Sequence, residues 1–257
     1  MTKTAASDTS EKYRAPALEK GLDVLEILAR HAEPMTAAQI SAALQRSPSE
    51  LFRMIQVLER KGFIEPSEEG DGFTLTDKLF ALGLERAPTK DLVEGALPHM
   101  RRLARSIRQS CHIAVRSGDK IVVVTRVENP GYFGYSVRTG HRRHILEATS
   151  GVVLYAFQPD YIQEEWAERI FASKPKAATS VFLEKVARAR KNGVYEAISD
   201  LAPGVIDLSA PIMGRNGAAA ALTVPYIAKS DAMPIDEARE AVRNAAARVS
   251  EDLKGVL

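Results

Sequence analysis

The sequence contains a single cysteine, Cys111, and no long uninterrupted apolar segment. One cysteine cannot form an internal disulfide, and an isolated thiol is typical of a reducing compartment. The first fourteen residues, MTKTAASDTSEKYR, lack the apolar core of a signal peptide, and the longest apolar runs, such as GVVLYAF at 151–157, are too short to span a bilayer. We therefore expect a cytoplasmic protein without a membrane partner.

The sequence also lacks the short motifs that mark common catalytic sites. It has no G-x-S-x-G elbow, no phosphate-cradling loop and no dinucleotide-binding fingerprint. Cys111 and His112 are adjacent, but neighbours on a strand point to opposite faces, which favours a buried apolar cysteine over a nucleophile with its base. His141 and His144 flank two arginines, whose positive charge opposes a bound cation. We expect no catalytic residue, no metal site and no cofactor.

A basic excess, which nucleic-acid-binding domains usually carry, is absent from the N-terminal region. The 257-residue chain has a formal net charge of +2, but residues 1–75 contain nine Lys and Arg against twelve Asp and Glu. At this length, with 45% hydrophobic and 26% charged residues, two soluble globular domains are expected. Any basic surface in the N-terminal region has to be local and built from Arg46, Arg53, Arg60 and Lys61.

The N-terminal region does show three helical patterns followed by two short strands. Apolar residues recur at helical spacing over 17–30, and AAQISAAL forms a second helical segment. Ser47 and Glu50 have the spacing of a capping box at the start of a third helix. The segments FIEP and FTLT, separated by a glycine-containing turn, are typical of a β-hairpin. Three helices and a hairpin predict a winged helix-turn-helix.

The third helix, over residues 48–60, is predicted to have two distinct sides. With 3.6 residues per turn, one face is apolar and the opposite face is polar. The polar stripe by itself is as compatible with an ordinary surface helix as with DNA contact; the preceding helix, the capped turn and the hairpin favour DNA. The apolar face comprises Leu51, Met54, Ile55 and Leu58, and the polar face comprises Ser49, Arg53, Gln56 and Arg60.

Beyond residue 78 the pattern changes from two helical segments to strands and turns. KLFALGLERA and 91–108 are helical, and APTKD between them lacks periodicity and is the candidate linker. The basic run RRLARSIR at 101–108 is typical of a solvated helix face or of a contact with another subunit. An α+β domain with a largely antiparallel sheet is predicted. Its elements are strands CHIAVR, IVVVTRV and YFGYSVR, a helix around TSGVVLYAF, two helices before Gly193, strands at 204–213 and 218–227, and a helix from Pro234.

Together these segments resemble the IclR (isocitrate lyase regulator) family of transcription regulators. The resemblance extends from Ala15 to Leu257 and is carried by ALEKGLDVLEIL, SELFRMIQVLERKGFIE with FTLTDKLFALG, TGHRR with ATSGVVLYAF, and PGVIDLSAPI with AAALTV. It implies a non-enzymatic dimer, or dimer of dimers, that binds a palindromic operator in promoter DNA and responds to a small organic effector. The implied organisation is a disordered tail at 1–13, a winged helix-turn-helix at 14–77, a helical linker at 78–91 and a GAF-like effector-binding and oligomerisation domain at 92–257.

The resemblance places the family's recognition-helix positions on Ser49, Glu50, Phe52 and Arg53. Arg53 can reach a guanine edge or a phosphate, and Glu50 can accept a hydrogen bond only from a cytosine amino group or repel phosphate, so it would act as a selector. The acidic wing EPSEEGDG is expected to contribute little phosphate contact. The full set of expected DNA-contacting residues is Arg46, Ser47, Ser49, Glu50, Phe52, Arg53, Gln56 and Arg60.

The resemblance also implies an effector pocket. Two tyrosines favour a ring, because aromatic walls supply area for stacking. Asp207 favours an effector that offers hydrogen-bond donors, and Arg138 or Arg143 can neutralise that aspartate or hold an effector carboxylate. We hypothesise an aromatic or aryl-amide catabolite and control of catabolic genes. The expected lining is Tyr132, Tyr135, Arg138, His144, Thr149, Ser150, Val205, Asp207 and Thr223; departures from the family pattern fall at His144, Leu146, Asp207 and Pro225.

A second class of function stays open on the residues alone. The chain can be a small-molecule-binding metabolic protein or an enzyme whose N-terminal helices mediate only assembly. The acidic balance of residues 1–75 favours this alternative, and the absence of a catalytic motif opposes it.

Overall fold

A computed structural model describes residues 15–31, 33–67, 70–84, 87–172 and 175–254. The chain divides into two compact units between residues 85 and 86. The tail expected at 1–13 lies outside the described residues, as do Glu68 and Glu69 of the acidic wing. The segment expected to be the linker, 78–91, contains one short helix and the beginning of the next.

In its described residues the N-terminal unit contains four helices and a two-stranded antiparallel hairpin. The helices are α1 (Pro16–Arg30), α2 (Ala37–Ala43), α3 (Pro48–Arg60) and α4 (Lys78–Leu84), and the strands are β1 (Ile64–Pro66) and β2 (Phe73–Leu75). The order of the first three helices and the hairpin is that of the predicted winged helix-turn-helix.

The apolar face predicted for α3 holds this unit together. Leu51 and Ile55 are buried against Val24 and Leu28 of α1 and Ile40 of α2. The hairpin is joined to the same core, because the chain between α1 and α2 forms a bridge with β2. In that bridge, the backbone N–H groups of Met35 and Phe73 donate to each other's carbonyl oxygens at 3.1 and 2.8 Å.

In its described residues the C-terminal unit contains a six-stranded antiparallel sheet and five helices. The strands are β3 (Cys111–Ser117), β4 (Lys120–Val127), β5 (Arg142–His144), β6 (Tyr195–Ile198), β7 (Val205–Gly214) and β8 (Gly217–Ile227), in the order β5-β4-β3-β8-β7-β6. The helices are α5 (Ala87–Ile107), α6 (Thr149–Ala156), α7 (Asp160–Ile170), α8 (Lys176–Asn192) and α9 (Ile235–Asp252). The α+β fold predicted from the sequence is therefore confirmed.

The sheet separates two hydrophobic cores. Helices α5 and α9 cover one face, and α6 with α8 covers the other. Alternation along β3 follows from strand geometry: Cys111 and Ile113 lie in the first core, and Ala114 lies in the second. Cys111 is buried, and burial raises the pKa of its thiol to about 12. The expectation of a buried apolar cysteine is confirmed.

Two elements differ from the sequence-based expectation. YFGYSVR at 132–138 is not a strand, because the Asn129 side chain makes hydrogen bonds that form a turn: its Oδ1 accepts from Gly131 N–H at 3.1 Å, and its Nδ2 donates to the Phe133 carbonyl. The edge strand beside β4 is β5 instead. APTKD at 87–91 is not a break between helices but the first turn of α5.

Helix α6 lies unusually close to the turn that precedes it. This turn is a short 3₁₀ helix, Ile145–Glu147. A Cβ atom at Gly151 would lie 2.2 Å from the carbonyl oxygen of Ile145 and 2.8 Å from its Cα. Only glycine permits this approach, because the conflicting atoms are backbone and cannot rotate away.

Gly151→Ala is therefore expected to destabilise the protein by about 3 kcal/mol or more, since the added methyl group forces α6 away from the turn. Gly21→Ala is the matched control. It lies inside α1, where an added Cβ meets no atom within 4 Å, so alanine should stabilise by about 0.5–1 kcal/mol through helix propensity. Denaturant unfolding followed by circular dichroism measures both. Equal stability of the two variants would contradict the close approach.

Candidate functional sites

The polar side of α3 is exposed. Arg53, Gln56 and Arg60 make no side-chain hydrogen bond or ion pair with any residue that the structure describes. Phe52, beside them, is 56% exposed. Unpaired guanidinium and amide groups next to an exposed ring are the groups that contact phosphates, base edges and thymine methyl groups. This side of α3 is thus chemically suited to DNA.

The beginning of α3 is attached to α1 through Glu50. One carboxylate oxygen accepts from Lys20 Nζ at 2.9 Å, and the other accepts from the backbone N–H and the hydroxyl of Ser47 at 3.1 and 3.0 Å. The Lys20 hydrogen bond, followed by those from Ser47, lowers the pKa of Glu50 to about 2. Three hydrogen bonds within the protein therefore engage the carboxylate of Glu50, which is exposed, and its role as a selector stays a prediction.

Ion pairs engage two arginines of residues 1–75 without changing the net acidic balance of that region. Arg46 Nη2 lies 3.5 Å from a carboxylate oxygen of Asp23, and Arg30 Nη2 lies 3.0 Å from one of Glu26. Arg46, expected to contact DNA, is therefore partly engaged with α1. The exposed arginines of α3, Arg53 and Arg60, carry no such partner among the described residues.

A cavity of about 30 Å³ lies in the C-terminal unit. It is enclosed by the sheet, the first turn of α6 and residues 128–141, which we call the β4–β5 segment. Its lining residues are His112, Ile121, Val123, Tyr135, Val137, His141, Arg143, Ala148, Thr149, Ser150, Ser199, Leu201, Asp207 and Thr223.

One end of the cavity contains the carboxylate of Asp207. Burial raises the pKa of Asp207, whereas hydrogen bonds from Ser199 and Thr149 and the charge of Arg143 act in the opposite direction. The Thr149 hydroxyl lies 3.4 Å from the carboxylate. Arg143 is itself shared with Asp200 and Glu147, at 3.4 and 3.8 Å.

The histidines in the cavity have unused hydrogen-bonding atoms. His112 is 6% exposed, and its Nδ1 is buried without a partner in the described part of the chain. His141 Nε2 is also buried and has no hydrogen-bond partner among the described residues. Burial, with a further contribution from His141, lowers the pKa of His112 to about 4, so this ring is neutral at neutral pH. Buried polar atoms are normally hydrogen-bonded, so these two are exceptional.

Two family models match this chain. The model described as the C-terminal domain of the bacterial transcriptional regulator IclR matches residues 86–251, and the model of the IclR helix-turn-helix domain matches residues 17–68. The chain belongs to the IclR family. The resemblance seen in the sequence is confirmed, and the IclR family consists of DNA-binding transcriptional regulators rather than enzymes.

Individual IclR relatives resemble this chain over most of its length, although their sequence identity is low. The transcriptional regulator KdgR of Escherichia coli K12 is 23% identical over 202 residues, which are 77% of this chain and 76% of KdgR. The crystal structure of Thermotoga maritima IclR has a TM-score of 0.71 at 19% identity and covers 92% of this chain and 98% of its own. An IclR homologue from Microbacterium hydrocarbonoxydans, solved with 4-hydroxybenzoate, has a TM-score of 0.76 at 22% identity with the same coverage.

The structure brings five of the nine expected effector-binding residues to the cavity. They come from the β4–β5 segment, the first turn of α6, and strands β7 and β8. These residues are Tyr135, Thr149, Ser150, Asp207 and Thr223.

The other four do not line the cavity. Tyr132 is fully exposed and Arg138 is exposed, so one tyrosine, rather than two, faces the cavity. His144 Nδ1 accepts from the backbone N–H of Leu146 at 3.2 Å and so caps the turn before α6. Val205 is buried at the first position of β7, outside the lining.

The expected set also omitted several lining residues. His112 is a lone polar residue in the apolar run CHIAV, and that interruption is a signal in the sequence that was available. Ser199 and Leu201 come from the connection between β6 and β7. No pattern in the sequence indicates that this connection lies beside the first turn of α6. His141 and Arg143 also line the cavity; the sequence pattern raised His141 only as a metal ligand, and Arg143 as a partner for Asp207 or for an effector carboxylate.

The described residues were also compared with the requirements of a membrane-spanning helix and of a metal site. None of their helices combines the length and the apolar character that crossing a membrane requires. Within the same residues, no group of three or more His, Cys, Asp or Glu side chains is arranged to hold a metal ion.

His112→Phe is expected to reduce the sensitivity of the protein to acid. The pKa of His112 is about 4 in the folded chain and about 6.5 when unfolded. Between these values the unfolded chain binds a proton that the folded chain does not, so stability is complete above about pH 6.5 and is lost as the pH falls. The loss approaches about 3 kcal/mol near pH 4.

Urea denaturation of the wild type and of His112→Phe at pH 7, 6, 5 and 4 measures this effect. The free energy of unfolding of the variant, relative to the wild type, should rise as the pH falls. A difference that stays constant over this range would contradict a neutral, buried His112.

Proposed function

We propose that this IclR-family protein is a one-component regulator of catabolic genes that senses a small aromatic or aryl-amide metabolite. Two or more subunits, as a dimer or a dimer of dimers, bind a palindromic operator through α3. The observation that carries the proposal is the exposed polar side of α3, whose Arg53, Gln56 and Arg60 have no partner among the described residues. The C-terminal unit adds a polar cavity beside α6.

The proposed DNA contacts divide into two groups by their partners. Arg53, Gln56 and Arg60, with Phe52 and Ser49, are exposed and are the proposed contacts to bases and phosphates; the Ser49 hydroxyl also lies 3.2 Å from that of Ser47. Ser47, Glu50 and Arg46 hold α3 against the rest of the unit, because their side chains bond to one another or to α1.

The proposed effector is a ring that offers a hydrogen-bond donor, such as a phenol, amide or amine. Tyr135 supplies an aromatic wall, and the Asp207 carboxylate accepts the donor. The 4-hydroxybenzoate bound by the M. hydrocarbonoxydans homologue is a ligand of this class and supports the proposal.

Ring binding requires the cavity to open. An apolar cavity that accepts benzene measures about 150 Å³, whereas this one measures about 30 Å³. We assign the opening to the β4–β5 segment, which contains no helix or strand. Its end is attached by a hydrogen bond from Gly140 N–H to the Val123 carbonyl at 2.8 Å. Displacement of this segment by the effector is the proposed first step of the response.

Arg53→Ala is expected to weaken binding to the chain's own operator about tenfold or more and to lower the salt dependence by about one released ion, because one base or phosphate contact is lost. Arg30→Ala is the matched control, since it removes the same charge from α1, where Arg30 pairs with Glu26. Gel-shift titrations at several salt concentrations measure both. Equal weakening by the two variants would assign the effect to overall charge and remove Arg53 from the interface.

Tyr135→Ala is expected to weaken aromatic effectors about tenfold or more, because a stacking wall is lost. Tyr132→Ala, which removes an equal but fully exposed ring, should leave affinity unchanged. Calorimetric titration of the full chain with 4-hydroxybenzoate, 4-aminobenzoate, benzamide, pyruvate and glyoxylate measures this. Binding of the aliphatic acids only would contradict an aromatic effector.

A further inference from the structure

The cavity contains two imidazole nitrogens for which the described part of the protein provides no partner. His112 Nδ1 and His141 Nε2 are both buried and unpaired among the described residues, and both rings line the same space. A buried polar atom without a hydrogen bond destabilises the fold, and an apolar ring of the same shape would avoid that loss. Two such atoms on residues that line one cavity therefore point to a ligand that completes them.

The sheet geometry places the histidine end away from the Asp207 end. His112 of β3 is directly opposite Thr223 of β8, and Thr223 is opposite Ser209 of β7. The hydroxyls of Thr223 and Ser209 lie 2.8 Å apart and satisfy each other. Asp207 lies on the same face of β7, so two strand spacings, roughly 10 Å, separate β3 from β7. A single ring with a polar group at each end suits this separation.

The charges around the histidines favour an acidic group at their end. The titratable and charged groups that face the two rings across the cavity are Tyr135, Arg143 and Asp207. Arg143 already pairs with two carboxylates outside the lining, Glu147 and Asp200. The two imidazoles are therefore the other groups of the described lining that can become positively charged. Each neutral imidazole can donate one N–H, which matches the two oxygens of a carboxylate.

We propose that His112 and His141 form a carboxylate-binding end of the effector cavity, and that the effector is an aromatic acid whose opposite end donates a hydrogen bond to Asp207. This inference rests on the proposed effector cavity and adds its second anchoring group. A carboxylate beside the rings stabilises their protonated form, so binding takes up a proton from solution. A neutral amide or hydroxyl in the same place forms hydrogen bonds without proton uptake.

Calorimetry of the full chain with 4-hydroxybenzoate and 4-hydroxybenzamide tests the proposal, because these probes have the same shape and differ in charge. Titrations at pH 6, 7 and 8, in two buffers with different ionisation enthalpies, count the protons taken up. The acid should bind about tenfold more tightly than the amide at pH 6, with uptake of up to one proton, and its affinity should fall up to tenfold per pH unit. Equal affinities without proton uptake would overturn the proposal.

His112→Phe keeps a ring of similar volume and removes the hydrogen-bonding atoms. It should abolish the preference for the acid and the proton uptake while retaining affinity for the amide. His99→Gln removes an imidazole from the same unit outside the cavity lining and should change neither. His141→Gln is the second test, since it keeps a donor but cannot titrate, and it should reduce the proton uptake. A preference for the acid that persists in both cavity variants would overturn the proposal.

The failure of this inference can be distinguished from failure of the aromatic effector. If the aromatic amide and acid bind equally and both depend on Tyr135, the aromatic effector stands and the carboxylate end is refuted. If neither aromatic probe binds, lactate and lactamide replace them. A preference for lactate that depends on His112 then supports the carboxylate end, and the absence of any such preference refutes it.

Discussion

The contact between Gly151 and the backbone of Ile145 is the constraint on which the C-terminal unit depends. It allows α6 to begin immediately after the turn that leaves β5, so that Thr149 and Ser150 reach the cavity while the rest of α6 is buried. A side chain at 151 would push the helix from the sheet. The hydroxyl of Thr149 would then lose the carboxylate of Asp207, and the cavity would lose its polar end.

The two candidate sites share one principle. In each, some polar groups are engaged within the protein and set the geometry, and others are left without partners. At α3, Glu50 bonds to Lys20 and Ser47 and positions the helix, whereas Arg53 has no partner among the residues that the structure describes. In the cavity, the Thr223 hydroxyl is satisfied by Ser209, whereas His112 Nδ1 and His141 Nε2 find no partner in the described part of the chain. The unpaired groups are those that a ligand or DNA can complete, because binding there breaks no bond within the protein.

Local patterns in the sequence were sufficient for most of the fold. The helical spacing of Leu51 and Ile55 predicted the buried side of α3, and the strand patterns predicted β3, β4, β7 and β8. The failures involve side chains that interact with a distant or unexpected partner. Asn129 forms a turn where aromatic residues favoured a strand, and Lys20, thirty residues away, engages Glu50. Propensity describes a residue and its neighbours, so such contacts are outside its reach.

The sequence by itself determined the family, the periodicity of α3 and the opposite placement of Cys111 and His112, because each depends on residues that are close together in the chain. Only the tertiary structure decided which polar groups meet. His112, His141 and Asp207 come from segments far apart in sequence, and packing of the sheet against α6 and the β4–β5 segment brings them to one cavity. The same packing leaves Tyr132 in solvent. Tyr132 follows the turn at Asn129 and is exposed, whereas Tyr135, three residues later, lines the cavity.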